Sequence, residues 1–261
     1  MDKAKLTSHL LNEHEREIGY RVIDAAELAW KTNNPQFTDF YDPHEQKVAK
    51  SVLSAFVEVI VLTYGGYRQA ERARLVIAPQ FYVTEAIPTP IRVLQAEGDF
   101  RFSSVSHRDY LGSLVGLGIK REKIGDILVQ DTGCQVIVAS EIADYLLINW
   151  RQVGKVNLKV TEIDPEQLAV EPERVKQIKT TVASLRLDAV AAAGFGVSRT
   201  KMAQEIKNEK VKVNWKLVTS PAYELHEGDV ISIRGRGRVV VASITGTTKK
   251  GRLGLLLERM L

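Results

Sequence analysis

Between Ser184 and Gly237 four short blocks follow in fixed order: Arg186-Leu187-Asp188, Ser198-Arg199, Val211-Lys212-Val213-Asn214 and Gly228-Asp229-Val230-Ile231. The first two open helices of about two turns, too short to stand alone in water, so they must pack on the strands that follow. Gly194-Phe195-Gly196 reads as the turn between the helices, since it lacks the third glycine and preceding strand of a dinucleotide loop. Ser198 suits an N-cap, and Met202, Ala203 and Ile206 form the buried stripe behind it. A capping box would want Glu or Gln at 201, where Lys201 stands beside Arg199. Cations in a first turn oppose the helix dipole at about 0.3–1 kcal/mol each, a cost an incoming anion removes. Lys207, Lys210, Lys212 and Lys216 carry the basic line into the strand. Asn214-Trp215 then occupies a hairpin turn that prefers Asn-Gly. Trp215 is read either as an exposed ring that stacks on a base or ribose, or as one folded back over the hairpin.

The charge distribution points the same way. Residues 184–261 hold 14 Lys and Arg against 7 Asp and Glu, a net +7, which leaves −3 for the rest of a chain of net +4. Such asymmetry suits a polyanionic partner. One cysteine, Cys134, excludes an internal disulfide and a Cys-based zinc site, and fits a reducing compartment. The start of the chain lacks the apolar core of a signal peptide, and the greasiest run, Ser51–Leu62, is interrupted by Glu58 and falls short of the roughly 20 residues that span a bilayer. These features predict a cytoplasmic protein without a membrane partner.

Periodicity predicts a helix over 10–31, stopped by Thr32-Asn33-Asn34-Pro35, and a second over 44–62, where Leu53, Phe56, Val57, Ile60 and Val61 form one stripe and Gly65-Gly66 ends it. Thr38-Asp39-Phe40-Tyr41-Asp42-Pro43 reads as the cap of that second helix, or as a partner contact. A strand is predicted over 73–78. From Ile91 the order becomes strand 91–95, helix 106–117, hairpin 127–130 and 135–139, helix 141–150 and strand 156–163. This βαββαβ order is that of a ferredoxin-like or RNA-recognition-motif-like layer, which hosts many functions. The predicted fold is α+β, with a mostly helical region at 1–75, the βαββαβ domain at 76–165, a linker at 166–183 holding Pro172, and a C-terminal domain at 184–261.

The four C-terminal blocks resemble the S4 RNA-binding domain over roughly 184–237. The resemblance implies two helices on a small antiparallel sheet, with structured RNA bound by the second helix and adjoining strand. It assigns RNA contact to Arg186, Ser198, Arg199, Lys201, Lys207, Lys210, Lys212 and Asn214. One departure is Asn208-Glu209-Lys210, where that family has a glycine before the strand.

The remainder is similar to the bacterial YlmH-type proteins through Gly65-Gly66-Tyr67-Arg68-Gln69-Ala70-Glu71-Arg72, through Ser106-His107-Arg108-Asp109-Tyr110-Leu111-Gly112, and through the block from Gly116 to Asp126. Cyanobacterial members carry the label photosystem II S4 domain protein. The similarity implies a ribosome-associated quality-control factor that binds the large subunit carrying peptidyl-tRNA after a stall and supports template-free extension of the peptide. Beside it, His107, Arg108, Lys120, Arg121 and Lys123 bracket one helix with cations at both ends, suited to phosphate contact. Gly112, Gly116 and Gly118 read as sites of close helix–sheet packing, or of close approach to RNA. The strand at 135–139 lacks the aromatic, Gly-rich signature of base-stacking RNA-recognition motifs.

Other motifs carry no chemistry. Asp131-Thr132-Gly133 matches an aspartic-protease triplet, but it sits in a turn and has no second copy to share a proton. His9-Leu10-Leu11-Asn12-Glu13-His14 is one residue too long for an inverted zinc-protease motif, and with five scattered histidines no metal site is expected. Cys134 reads as a small core residue. The expectation is a monomeric, non-catalytic protein without cofactor that binds rRNA and tRNA on the large ribosomal subunit. The competing readings are an RNA-modifying enzyme of pseudouridine synthase or methyltransferase type, aimed by its S4 domain, and an adaptor whose acidic N-terminal region docks a protein.

Overall fold

The computed structural model describes residues 2–101, 103–170, 175–248 and 251–260. The chain divides into two compact units, Met1–Val170 and Glu171–Leu261.

The first unit opens with α1 (Lys3–Leu6) and α2 (Glu13–Thr32), the latter capped by Asn12 and ended by Asn33 in the left-handed region at φ 55°. β1 (Gln36–Tyr41) leads to α3 (Pro43–Leu53), whose N-terminus carries a full capping box between Asp42 and Glu45. β2 (Val59–Tyr64) and β3 (Ala73–Pro79) complete a three-stranded sheet of order β1-β3-β2, with β3 antiparallel to both neighbours. Val22, Ile23 and Ala26 of α2, with Ala49 and Val52 of α3, close over Leu75 and Ile77 of β3.

The predicted second helix over 44–62 is thus corrected. It ends at Leu53, and its latter part is a strand, because Val59, Ile60 and Val61 form a β-branched run that pairs with β3. Val57, assigned to the helical stripe, is exposed. The N-terminal region is helical as expected, with a three-stranded sheet packed against α2 and α3, and the boundary expected after residue 75 falls inside β3.

β4 (Ile91–Gly98), α4 (His107–Gly116), β5 (Ile124–Gln130), β6 (Gly133–Ala139), α5 (Ser140–Asn149), β7 (Gln152–Val153) and β8 (Val156–Ile163) form the second layer of this unit. Its sheet order, β5-β6-β4-β8-β7, is the antiparallel βαββαβ arrangement with one short extra strand. Alternation sends Leu94, Ala96, Val136 and Val138 toward α4 and α5, where they pack with Tyr110, Leu114, Leu146, Trp150 and the buried Cys134. The opposite face, Ile91, Val93, Ile137 and Ala139, is covered by Phe40 together with Tyr67 and Leu168.

Polar contacts lock the two layers of this unit. Asp126 accepts from the Tyr67 hydroxyl at 2.9 Å and from the backbone N–H groups of Glu71 at 2.8 Å and Arg72 at 3.2 Å. Burial pushes its carboxyl pKa up in spite of these donors. Arg74, 3% exposed, donates to the carbonyls of Thr38 and Pro90, both at 2.6 Å, and holds Glu141 through two bonds of 2.7 and 3.1 Å.

The second unit is a six-stranded sheet of order β11-β10-β12-β13-β14-β9 with two helices on one face. Its elements are β9 (Val175–Val182), α6 (Leu187–Phe195), α7 (Arg199–Lys207), β10 (Val211–Val213), β11 (Lys216–Leu217), β12 (Val230–Ile233), β13 (Gly237–Thr247) and β14 (Leu253–Met260). The linker predicted over 166–183 is corrected in part: β9 is an edge strand paired with β14 along its full length, from Val175↔Met260 to Val182↔Leu253. Pro172 lies outside the described residues.

Gly194, read as part of the inter-helix turn, lies inside α6, and the turn is made by Gly196 at φ 66°. A Cβ at Gly194 would stand 2.7 Å from a methyl carbon of Val239. Gly194→Ala should therefore destabilise this unit by about 1–3 kcal/mol through overpacking, although alanine is the better helix former. Urea denaturation checks it; a stabilised variant would show that the helix shifts freely.

Candidate nucleic-acid interface

The helix pair of the second unit is organised by one buried carboxylate. Asp188, 5% exposed, accepts from Arg186 Nε at 3.2 Å and Nη2 at 3.1 Å. It also takes Arg199 Nη2 at 3.2 Å and Nε at 3.1 Å, so one carboxylate serves two guanidinium groups. Burial alone would raise the Asp188 pKa, but the two arginines override it and hold the group below the ordinary carboxylate range. Both hold Asp188, which ties the N-terminus of α6 to that of α7, while their side chains keep 39% and 54% exposure and the three groups together retain one positive charge.

The lysines nearby are placed differently. Ser198 caps α7 as expected, its Oγ accepting from Lys201 N–H at 3.3 Å. Met202 and Ile206 are buried, and helical geometry puts Lys201, Gln204 and Lys207 on the opposite arc, where all three are exposed. Glu209 takes the left-handed conformation at φ 59°, filling the position where a glycine is usual. Lys210 follows, exposed, and in β10 Val211 and Val213 turn into the core while Lys212 points to the other face of the sheet. Lys212 therefore lies around the sheet edge from Lys201 and Lys207, and the basic surface wraps that edge. Among the described residues, none of Lys201, Lys207, Lys210 and Lys212 makes an ion pair or a side-chain hydrogen bond. Arg236, in the turn between β12 and β13, is held by Glu205 of α7 at 2.9 and 3.1 Å and so fastens that turn to the helix.

The hairpin between β10 and β11 is a two-residue turn flanked by the pair Val213↔Lys216. Both central residues have positive φ, Asn214 at 49° and Trp215 at 65°, as the twist-matched hairpin turn requires. Asn214 is suited to this. Its amide donates to Asp229 Oδ1 at 2.8 Å and its carbonyl oxygen accepts from Val230 N–H at 3.0 Å. These bonds hold Asn214 in the turn. Trp215 is not suited, since a left-handed non-glycine residue costs about 1–2 kcal/mol. It is half-buried, and the Arg238 guanidinium lies 5.9 Å from its ring centroid. Arg238 was not legible in the sequence as a partner of Trp215, because the two meet only through the strand register.

In the first unit the expected basic bracket is divided. His107, Arg108 and Lys120 are on the surface. Arg121 is turned inward: its Nη1 donates to the carbonyls of Ile124 at 2.5 Å and Gly125 at 3.3 Å, and burial with the neighbouring Arg72 charge lowers its pKa to about 10. Lys123 is neutralised by Asp39 at 2.7 Å and Glu141 at 2.8 Å. Arg121 and Lys123 are thus held by the protein's own carbonyls and carboxylates. The close-packing reading of Gly112, Gly116 and Gly118 is corrected. A Cβ at any of them would meet only open space, so they are not close-packing glycines. The sheet face on which RNA-recognition motifs stack bases is closed here by Phe40, Tyr67 and Leu168, which gives the missing aromatic signature its physical reason. Among the described residues no cluster could hold a metal ion, and no helix is long and apolar enough to cross a membrane.

Comparison with known proteins agrees with this division. Residues 14–82 match the family model described as "YlmH, N-terminal", residues 90–167 the "Putative RNA-binding domain in YlmH", and residues 185–231 the "S4 domain". Ribosome-associated protein quality control protein P2 of Bacillus subtilis is 38% identical over 252 residues, which span 95% of this chain and 97% of that protein. Small ribosomal subunit protein uS4 of Desulfotalea psychrophila is 40% identical over 70 residues, 25% of this chain and 33% of its own. The solved structure of cell division protein ylmH from Streptococcus pneumoniae superposes with a TM-score of 0.52 at 18% identity, over 59% of this chain and 93% of its own, a likeness of fold. With an S4 domain behind both YlmH domains and a full-length relative at this identity, the chain belongs to the YlmH family of RNA-binding proteins.

Proposed function

We propose that this protein is a non-catalytic, monomeric factor of the bacterial cytoplasm that binds rRNA and tRNA on the large ribosomal subunit and acts in quality control of stalled peptidyl-tRNA complexes. The observation that carries the reading is the contrast within one domain. Arg186 and Arg199 share Asp188 and Arg236 is paired with Glu205, while Lys201, Lys207, Lys210 and Lys212 stay exposed without a partner among the described residues. Lysines held apart from the protein's own acids are what phosphate neutralisation needs. The quality-control role is supported by the likeness to the Bacillus subtilis protein of that name. Arg108 and Lys120 of the first unit supply a second set of phosphate contacts, and two linked weak sites bind more tightly than either alone.

The test is co-sedimentation of purified protein with large ribosomal subunits carrying peptidyl-tRNA. Lys201→Glu combined with Lys212→Glu should abolish it and leave the circular-dichroism spectrum unchanged. These positions are preferable to Arg199, whose reversal would set a carboxylate beside buried Asp188 and confound folding with binding. Undiminished co-sedimentation of the double variant would overturn the proposal.

A further inference from the structure

We propose that Trp215, backed by Arg238 and flanked by Lys212, is a stacking platform for an unpaired nucleobase of the bound RNA. The inference rests on the RNA-binding reading above and gives that site a component beyond phosphate attraction.

Three observations support it. First, Trp215 holds a turn position that glycine would occupy without strain, at φ 65°. Asn214 is fastened to Asp229 and Val230, so the turn cannot relax into a form that suits a bulky residue. A strained residue over-determined by its surroundings points to a use other than local stability. Second, Trp215 takes no part in the hydrophobic core of its unit, which is built from α6, α7 and the inner face of the sheet. Its recorded ring contact is instead the Arg238 guanidinium at 5.9 Å. Third, the strand register sets Lys212, Ser232 and Arg238 side by side, Lys212↔Ser232 and Ser232↔Arg238, on the face turned away from the helices. An aromatic plane, a guanidinium and an exposed lysine on one face match a base and its attached phosphate. An apolar protein surface would not choose a site with this density of positive charge.

The experiment compares two probes at one low salt concentration: a single-stranded oligoadenylate and an abasic ribose-phosphate oligomer of equal length. Wild-type protein should bind the oligoadenylate about tenfold more tightly than the abasic oligomer. Trp215→Gly should bring the two affinities together while the thermal midpoint stays level or rises, and Trp215→Phe should restore most of the preference. Lys201→Glu with Lys212→Glu should weaken both probes alike. If Trp215→Gly keeps the preference for bases, or lowers the thermal midpoint, Trp215 is a structural prop and the inference is overturned while phosphate binding stands. If wild-type protein binds neither probe, the RNA reading falls, and this inference with it.

Discussion

An Arg74→Met variant should lose about 3–5 kcal/mol of stability in the first unit, the largest single-residue effect expected. Arg74 is the deepest charge among the described residues, at 3% exposure, and its side chain is shared among three elements: β1 through Thr38, the start of β4 through Pro90, and α5 through Glu141. Methionine keeps the apolar stem and strands the rest. Two buried carbonyls lose their donor, at about 1–3 kcal/mol each, and Glu141 keeps only Lys123. The same pair predicts an acid limit. Burial would raise the Glu141 pKa, yet Arg74 and Lys123 together bring it down to about 2 from an ordinary 4.5. Its contribution is therefore complete above pH 4.5 and lost as pH falls through about 2. Urea titrations of wild type and variant at neutral pH measure the effect. A loss below about 1 kcal/mol, the range of surface ion pairs, would show that Arg74 is solvated in a way its burial does not suggest.

Changing Lys201, Lys207, Lys210 and Lys212 together to glutamine should reduce RNA affinity by about a hundredfold or more at moderate salt. It should also lower the slope of log affinity against log salt by up to about 3–4, since each phosphate contact contributes about 0.9. Glutamine at Lys47 and Lys50, exposed on α3, serves as the control and should alter neither quantity. The salt slope separates loss of phosphate contacts from a general loss of folded protein, which would lower the bound fraction without changing the slope. An unchanged slope in the quadruple variant would remove the α7–β10 edge from the interface.

What the sequence disclosed follows from the range over which each signal acts. The βαββαβ layer was legible because its strands and helices alternate within short windows and each has its own period. The caps at Ser198 and Asp42 were legible for the same reason, being three-residue patterns. β2 was hidden because Leu53, Phe56, Val57, Ile60 and Val61 meet a helical spacing by accident, and only pairing with β3 decides otherwise. β9 reads Val-Lys-Gln-Ile-Lys-Thr-Thr-Val, polar as an edge strand should be, and its partner lies at the far end of the chain. At the site, residue type named the cations correctly but not their pairing. Arg199 and Lys201 look alike in sequence, and only the fold brings Asp188 to one and not the other. Arg121 and Lys123 read as a phosphate bracket, and only the fold shows that β5 supplies carbonyls to the first while β1 and α5 supply carboxylates to the second.

The covering of Ile91, Val93, Ile137 and Ala139 by Phe40 and Tyr67 has a consequence for how this architecture can be dismantled. Cut away from the residues before it, the segment from 84 to 170 would keep Leu168 but lose Phe40 and Tyr67, opening part of an oily sheet face to water, so it should clump where the whole unit does not.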